Sequence, residues 1–525
     1  MPSIQGLGLT PDYYIDATSG SDGNTGLSSG QAWATLSKID ATLLANGTTT
    51  VVRIAADTYN SALDYVSVNN TTTTGATLIL VFEEGCTIDG TSYAGNESAF
   101  DPDGNAFTFI VYGNNLTVQN VTTTTGNAFA ANGAVHVIYH YGTASGCRDG
   151  MSLHDTATGD FYDITVTGSL KAGIAHINTS VSTHTRCSIT EASGGGSDRF
   201  IILEEQTAST FKDCLLLPDS DGSQVELHNA TMNRCQLGTL TQALDVRMDD
   251  DSGTILTLRR CFTNVYADGN VGVDVEYCFG RWTSRVRDQG AGQTLRRNVF
   301  LDHATNKNRV LLSESTGLGS SKLTWEDNIF LNSTFSFVTP EYATALEAAG
   351  STFRNNYLPN GIADVDADIQ SLFEGTLSDD PLVGPANSLL MSDYIISESS
   401  PMIGAGANGG DVGFRAGNVQ LRATDAMGQA IVTMGGARRP AGSPIFRASG
   451  AQTQEINTSG TSQATTIEAD REDIAIVINN SSALIWAEFG PNPIAAVGTT
   501  HAILPNSSAA FDVGEGDRCA LIDDN

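Results

Sequence analysis

The densest carboxylate run in the middle of the chain is Asp249-Asp250-Asp251, inside Arg247-Met248-Asp249-Asp250-Asp251-Ser252-Gly253. Carboxylates this close can divide acid and base roles, or hold a hard divalent cation such as Ca2+. Asp268, Asp274 and Glu276 follow, then Trp282, Arg285, Arg287 and Asp288. Acid, cation and aromatic ring are the parts of a binding groove. Asp249, Asp250 and Asp251 are therefore the candidate catalytic residues, and Trp282, Arg285 and Arg287 the candidate ligand-binding set. The competing reading is that Asp-Ser-Gly runs are ordinary solvated turns, of which this chain has many. His136 and His140 stand four apart, which on a strand is more than about 12 Å, so they are read as unrelated. His154-Asp155 reads as a turn pair. No Ser-His-Asp order, P-loop or strand–helix GxGxxG is present. None of the eight cysteines forms CxxC, and no metal site is assigned.

What must position these residues is a repeated short phrase. It reads Thr185-Arg186-Cys187-Ser188-Ile189, then returns around Cys214, Cys235, Cys261 and Cys278. Asparagine then takes the cysteine's place at Asn298, Asn328 and Asn356. Successive positions differ by 27, 21, 26, 17, 20, 30 and 28 residues. A period in this range signals a solenoid. Each phrase alternates apolar and polar residues and is too short for an amphipathic helix, so it is a strand. One strand cannot bury its face alone, so coils stack and equivalent residues form ladders. A Cys rung packs as a small apolar group. An Asn rung can hydrogen-bond backbone and its neighbour one coil away, about 4.8 Å on. Stacked reduced thiols are the expectation, although adjacent rungs lie close enough for a disulfide.

The ladder resembles that of the right-handed parallel β-helix of the pectate-lyase-like superfamily, which includes many bacteriophage tailspikes. The entry of the chain resembles theirs too: the strand Asp12–Asp16, a glycine-rich loop over residues 19–26, then apolar residues at 36, 39, 43 and 44. That spacing predicts a capping helix, with Thr35 as N-cap and Asn46-Gly47 as its end. Val51–Ala55 and the turn Asp57-Thr58-Tyr59 open the first coil. Further strands are expected at Leu78–Phe82, Ala106–Tyr112, Leu116–Val121, Val135–Tyr139, Phe161–Val166 and Ile174–Ile177. Asp379-Asp380-Pro381 and Ser399–Gly413 resemble the superfamily's closing coil. The fold class expected is thus all-β: a β-helix over residues 12–414 after a short tail (1–11), a linker (415–453), and a small β-sandwich (454–525). The last segment, with strands at Ile474–Ile478, Ala483–Phe489, His501–Leu504, Ala509–Val513 and Cys519–Ile522, resembles a β-module of phage virion proteins and would serve attachment or trimerisation.

The totals bound the partners. Lys+Arg is 27 and Asp+Glu 59, a formal charge of −32. This disfavours nucleic acid and anionic membranes as partners. The N-terminus carries no basic-then-apolar signal segment, and the apolar runs are too short to span a bilayer, so no membrane insertion is expected. The resemblance implies a homotrimeric virion surface protein, tailspike- or tail-fibre-like, made in the host cytoplasm. It would contact other virion proteins and host cell-surface polysaccharide. A capsid-attached head fibre is one alternative. A lyase or hydrolase acting on acidic polysaccharide is another, with Ca2+ as the only cofactor in view. No hydrolase or lyase signature phrase is present, so activity is not the leading expectation; a secreted adhesin is the remaining class.

Overall fold

The computed structural model describes residues 9–414 except 96, 124–125, 193–200, 204–207, 219–222, 227–228, 240–241, 248–254, 268–271, 287–291, 302–308, 314–321, 332–333, 336–340, 366, 384–393 and 398. Beyond 414 it describes the backbone of ten strands between Arg422 and Asp523. The chain divides into two compact units, Met1–Thr433 and Met434–Asn525.

The first unit is a parallel β-solenoid. Each strand pairs in parallel with its counterpart one coil later, from Tyr13–Ile15 and Thr49–Ile54 through to Thr352–Arg354 and Phe373–Glu374. Every predicted strand of this part is present. The runs Ala106–Tyr112 and Leu116–Val121 join into one strand, Thr108–Gln119, which turns a corner at Asn114 and Asn115 with φ of 43° and 66°. Inward residues at equivalent positions fill the lumen: Tyr139, Phe161, His184, Phe211, Met232, Leu258, Val275, Leu295, Trp325 and Phe353 are each 0% exposed.

The predicted ladder forms one column. The residues following each rung pair in register from Ser188–Leu215 to Ile329–Tyr357, so Cys187, Cys214, Cys235, Cys261, Cys278, Asn298, Asn328 and Asn356 are stacked. The same register carries the column back through Ile164, Gly142 and Leu116 to Cys86. All these cysteines are buried and unbridged. Before each rung the backbone is left-handed, at Arg186, Asp213, Arg234, Arg260, Tyr277, Arg297, Asp327 and Asn355, with φ between 51° and 59°. Non-glycine residues reach this region at a cost of about 1 kcal/mol each. The corner is tight enough that the stacked coils hold them there.

Two N- and C-terminal expectations need correction. The predicted capping helix over 36–44 is two 3-10 turns, Leu36–Lys38 and Ala41–Leu43. Ile39 and Asp40 between them are extended, and Asp40 caps the second turn by accepting from Thr42 N. Thr35 makes no side-chain cap; its hydroxyl donates to Asp22, which also accepts from Ala34 N and Thr35 N. The apolar spacing still does its work, since Leu36, Ile39 and Leu44 pack into the lumen core. The phrase expected to close the last coil instead lies along the side of the stack. Tyr394, Ile396, Met402, Val412 and Phe414 cover Phe262, Phe279, Val299, Ile329 and Tyr357. Ala407 N and Gly413 N donate to Asp327, to its carboxylate and carbonyl respectively.

The predicted C-terminal strands are all found, at Asp473–Asn479, Ile485–Gly490, His501–Ile503, Ser507–Val513 and Arg518–Asp523. They form two antiparallel sheets, one pairing Asp473–Asn479 with Ser507–Val513 and one centred on Ile485–Gly490. The stretch read as a linker holds two short antiparallel pairs, Arg422–Thr424 with Ala430–Val432 and Arg447–Ala448 with Gln452–Thr453.

Candidate functional site

The groove assembled from sequence does not hold together. Trp282 is 0% exposed and stacks on Phe300 in the lumen, with ring centroids 5.7 Å apart. No ligand reaches that ring, so Trp282 is a core residue and not a stacking platform. Counting from the inward rung Cys278, every second residue points inward, which puts residue 282 inside. Asp274 and Glu276 are tied into ion pairs on the outer face, Asp274 with Arg259 at 2.5 Å and Glu276 with Arg297 at 2.9 Å. Arg285 lies in the strand Phe279–Val286, opposite Leu312. Asp249, Asp250, Asp251, Asp268, Arg287 and Asp288 lie outside the described residues.

His136 and His140 sit on one strand, His136–Ser145, and have separate partners, as expected. His136 Nδ1 lies 2.8 Å from Thr158 Oγ1. His140 is sandwiched between Tyr112 and Tyr162, at 4.9 and 4.8 Å. Among the described residues no group of three or more His, Cys, Asp or Glu is arranged to hold a metal ion.

A different constellation comes together on the outer face of four adjacent strands: Phe100–Gly104, Asn127–Ala131, Asp149–Leu153 and Ala172–His176. Phe100 points into the lumen, so Asp101 and Asp103 share the opposite face. Asn132 Nδ2 donates to Asp101 Oδ1 at 2.6 Å. Burial first and the charge of Asp103 second push the Asp101 carboxyl up, against that hydrogen bond. Asp101 therefore keeps its proton to a higher pH than an ordinary carboxyl, which suits a proton donor.

Two coils further on stands Asp149, 3% exposed and paired with Arg148 at 3.2 Å. Burial raises its carboxyl against the lowering pull of Arg148 and Lys171. Lys171 follows Arg148 one coil on, with Lys171 N donating to Arg148 O. Ser152, fully buried, has its hydroxyl 2.9 Å from His154 Nε2. Burial lowers the His154 pKa, so near neutral pH the imidazole is uncharged and can take a proton. One rigid sheet thus presents a carboxyl inclined to stay protonated, a neutral imidazole and two cations. His154 opens the turn expected with Asp155, Ala157 N donating to His154 O, and its ring borders this face.

Sequence reasoning missed Asp101 and Asp103 for a clear reason. Asp101-Pro102-Asp103-Gly104 carries turn chemistry, and proline is rare within strands. Here Pro102 lacks only an N–H; its carbonyl still accepts from Asn132 N.

No family model matches the sequence, and a comparison with curated proteins finds no match. Among solved structures, the chain is similar to pectate lyase Pel9A, with 13% identity and a TM-score of 0.36 over 78% of this chain and 98% of that one. It is also similar to the tailspike protein gp49 from Acinetobacter baumannii bacteriophage Fri1, a capsular polysaccharide depolymerase. There the identity is 8% and the TM-score 0.29, over 91% of this chain and 77% of that one. Likeness at this level does not reach the chemistry of either protein. The parallel β-solenoid stands on this chain's own strand pairing.

Proposed function

We propose that the chain is a bacteriophage virion surface protein, tailspike- or tail-fibre-like, that binds host cell-surface glycan during adsorption. The observation that carries this reading is the polar face on the strands from Phe100 to His176. It sets the half-buried carboxyls of Asp101 and Asp103, the imidazole of His154 and the cations Arg148 and Lys171 on a rigid sheet spanning four coils. Sugars are recognised by such convergent polar groups, and a rigid scaffold avoids the entropy of ordering loops. The acidic surface keeps such a particle soluble. In this reading the C-terminal antiparallel unit joins the chain to other virion proteins or to two further copies in a homotrimer. A capsid-attached head fibre shares the same features and differs only in placement. Gold labelling of intact particles with an antibody to the chain separates them. Label at the tail tip supports the adsorption spike, label over the head supports the fibre, and no label overturns the virion reading.

A second reading is favoured by Asp101 beside Asp103: the face also cleaves an acidic polysaccharide, as hydrolase or lyase. A carboxyl pushed up by burial with a second carboxyl two residues on is the kind of pair glycoside hydrolysis uses. If so, Asp101→Asn lowers release of new chain ends from host polysaccharide by about a hundredfold or more while binding is kept. Absence of product with the unaltered chain removes this reading and leaves the first intact.

A further inference from the structure

Two imidazoles meet inside the solenoid, away from the amide ladder. Tyr139, Phe161, His184 and Phe211 occupy equivalent positions in four successive coils. His184 stacks between Phe161, at 4.9 Å and 4°, and Phe211, at 4.5 Å and 8°. Its neighbours show that a plain aromatic ring fits this column, so packing alone does not call for an imidazole. A second imidazole, His176, meets it from the adjacent sheet, with Nε2 3.1 Å from Nε2. Both residues are 0% exposed. His184 Nε2 also lies 3.0 Å from Ser182 Oγ, which is 2.8 Å from Ser209 Oγ. His184 Nδ1 finds no hydrogen-bond partner.

A nitrogen–nitrogen contact of this length holds one proton: one imidazole donates and the other accepts. Full burial disfavours the charged form, so both rings are neutral. A second proton would place a cation among Phe161, Phe211 and the neighbouring thiols, with no carboxylate inside the lumen among the described residues to meet it. A buried, unpaired charge is among the costliest things a core can hold.

We infer that His176 and His184 form an acid-sensitive latch in the middle of the solenoid, whose protonation releases the coils between Thr158 and Lys212. The groups around the pair bear this out. On the two coils that sandwich it, the thiols of Cys187 and Cys214 are the inward titratable neighbours. Asp160, Asp163, Arg186 and Lys212 lie on the surrounding strands but on the outer side, with Asp163 and Arg186 already paired at 2.6 Å. His154 and Asp149, one coil away, belong to the outer face described above. Burial is the largest cause depressing both imidazoles, that of His176 to about 3, with His154 and His176 adding smaller repulsions.

The sign follows from linkage. In the opened coils each histidine regains its ordinary value near 6.5. The closed state binds fewer protons below that value, so closure is favoured above about pH 6.5 and is lost as pH falls toward about 3. The opening equilibrium should rise roughly tenfold per pH unit for each proton taken up. Lys171 of the polar face immediately precedes the strand Ala172–His176, so opening would displace one of its two cations whatever ligand the face holds.

Hydrogen exchange on the full chain tests this, at pH 7 and pH 5 with intrinsic rates corrected. The expected result is a loss of protection of tenfold or more in the strands from Thr158 to Lys212, with Gln293–Arg296 and Leu323–Glu326 unchanged. His184→Phe and His176→Leu each leave one buried imidazole and should each halve the pH slope of that loss, and the double variant should abolish it. A loss spread evenly along the solenoid, or one that either variant leaves unaltered, overturns the latch.

Discussion

In the column from Cys187 to Asn356, the thiol run and the amide run reach the same acceptor by different chemistry. Cys261 Sγ lies 3.5 Å from Met232 O, and Asn298 Nδ2 lies 3.0 Å from Val275 O. Met232 and Val275 are equivalent, each three residues before the rung of the coil below. In the other direction, Cys278 Sγ accepts from Cys261 N at 3.3 Å, while Asn328 Oδ1 accepts from Asn298 N at 3.1 Å. The amide adds what a thiol cannot: Asn298 Nδ2 also donates to Asn328 Oδ1 at 2.9 Å, and Asn328 Nδ2 to Asn356 Oδ1 at 3.0 Å. The backbone groups at this corner need partners in both runs. Thiols supply weak ones and add apolar packing, and amides supply strong ones that depend on each other.

That difference sets the largest expected effect. Asn328 sits between two amides, and its side chain takes part in four bonds: to Leu295 O, to Asn356 Oδ1, and from both Asn298 N and Asn298 Nδ2. Asn328→Ala leaves several buried donors and acceptors unmet, each worth about 1–3 kcal/mol. The expected destabilisation is about 3–5 kcal/mol, read from the urea midpoint at unchanged slope. A cost below about 1 kcal/mol would mean the amide ladder is no stronger than the thiol one.

A swap sharpens the comparison. Cys278 already borders the amide run, since its N–H donates to Asn298 Oδ1 at 2.8 Å. Cys278→Asn extends that run by one rung, with a carbonyl below and an amide above to meet its Nδ2. It should be close to neutral, within about 1 kcal/mol. Cys214→Asn places an amide between the thiols of Cys187 and Cys235, where its Nδ2 has one good acceptor and no amide neighbour. It should cost about 1–3 kcal/mol more, since polar groups buried without partners are expensive. Equal midpoints for the two variants would show that the runs are interchangeable.

What the sequence made legible divides along the same physical line. A stacked position must hold one kind of side chain over many coils, so the ladder repeated visibly although its spacing varied from 17 to 30 residues. Each inward residue of a strand is then reached by counting in twos from a rung, and this parity is what puts Trp282 in the core. Cover over the outer face was also written in the sequence. The residue after each rung runs Ser188, Leu215, Gln236, and then Phe262, Phe279, Val299, Ile329 and Tyr357 with no polar residue between, and an outward apolar row needs something laid over it. The segment Tyr394–Phe414 lies over it. The polar face was not legible, because Asp101, Asp149 and His154 belong to coils whose rung position holds Leu116, Gly142 and Ile164 instead of Cys or Asn. Without a marker residue, register there follows only from the pairing itself. The capping segment misled because helical spacing and 3-10 turns bury the same apolar residues, and only Asp40, a capping residue in mid-segment, signals the break.

The smallest effect belongs inside the thiol run. Burial holds the thiols of Cys214, Cys235 and Cys278 far above an ordinary cysteine, so they are neutral, poorly nucleophilic and out of reach of solvent. Cys261→Ala removes the buried sulfur between Cys235 and Cys278. It takes away weak contacts to Met232 O and Arg259 O, and the sulfur that Cys235 N points to. Backbone pairing at this rung is untouched, because Phe262 N still donates to Cys235 O and Phe279 N to Cys261 O. What remains is a void of about one sulfur atom in a close-packed column, worth about 1–2 kcal/mol. The same variant should leave the other ladder thiols unreactive to an aqueous thiol reagent below the unfolding transition. Rapid modification under those conditions would mean that the thiol run opens on its own, and that it is the weaker half of the ladder in motion as well as in bond strength.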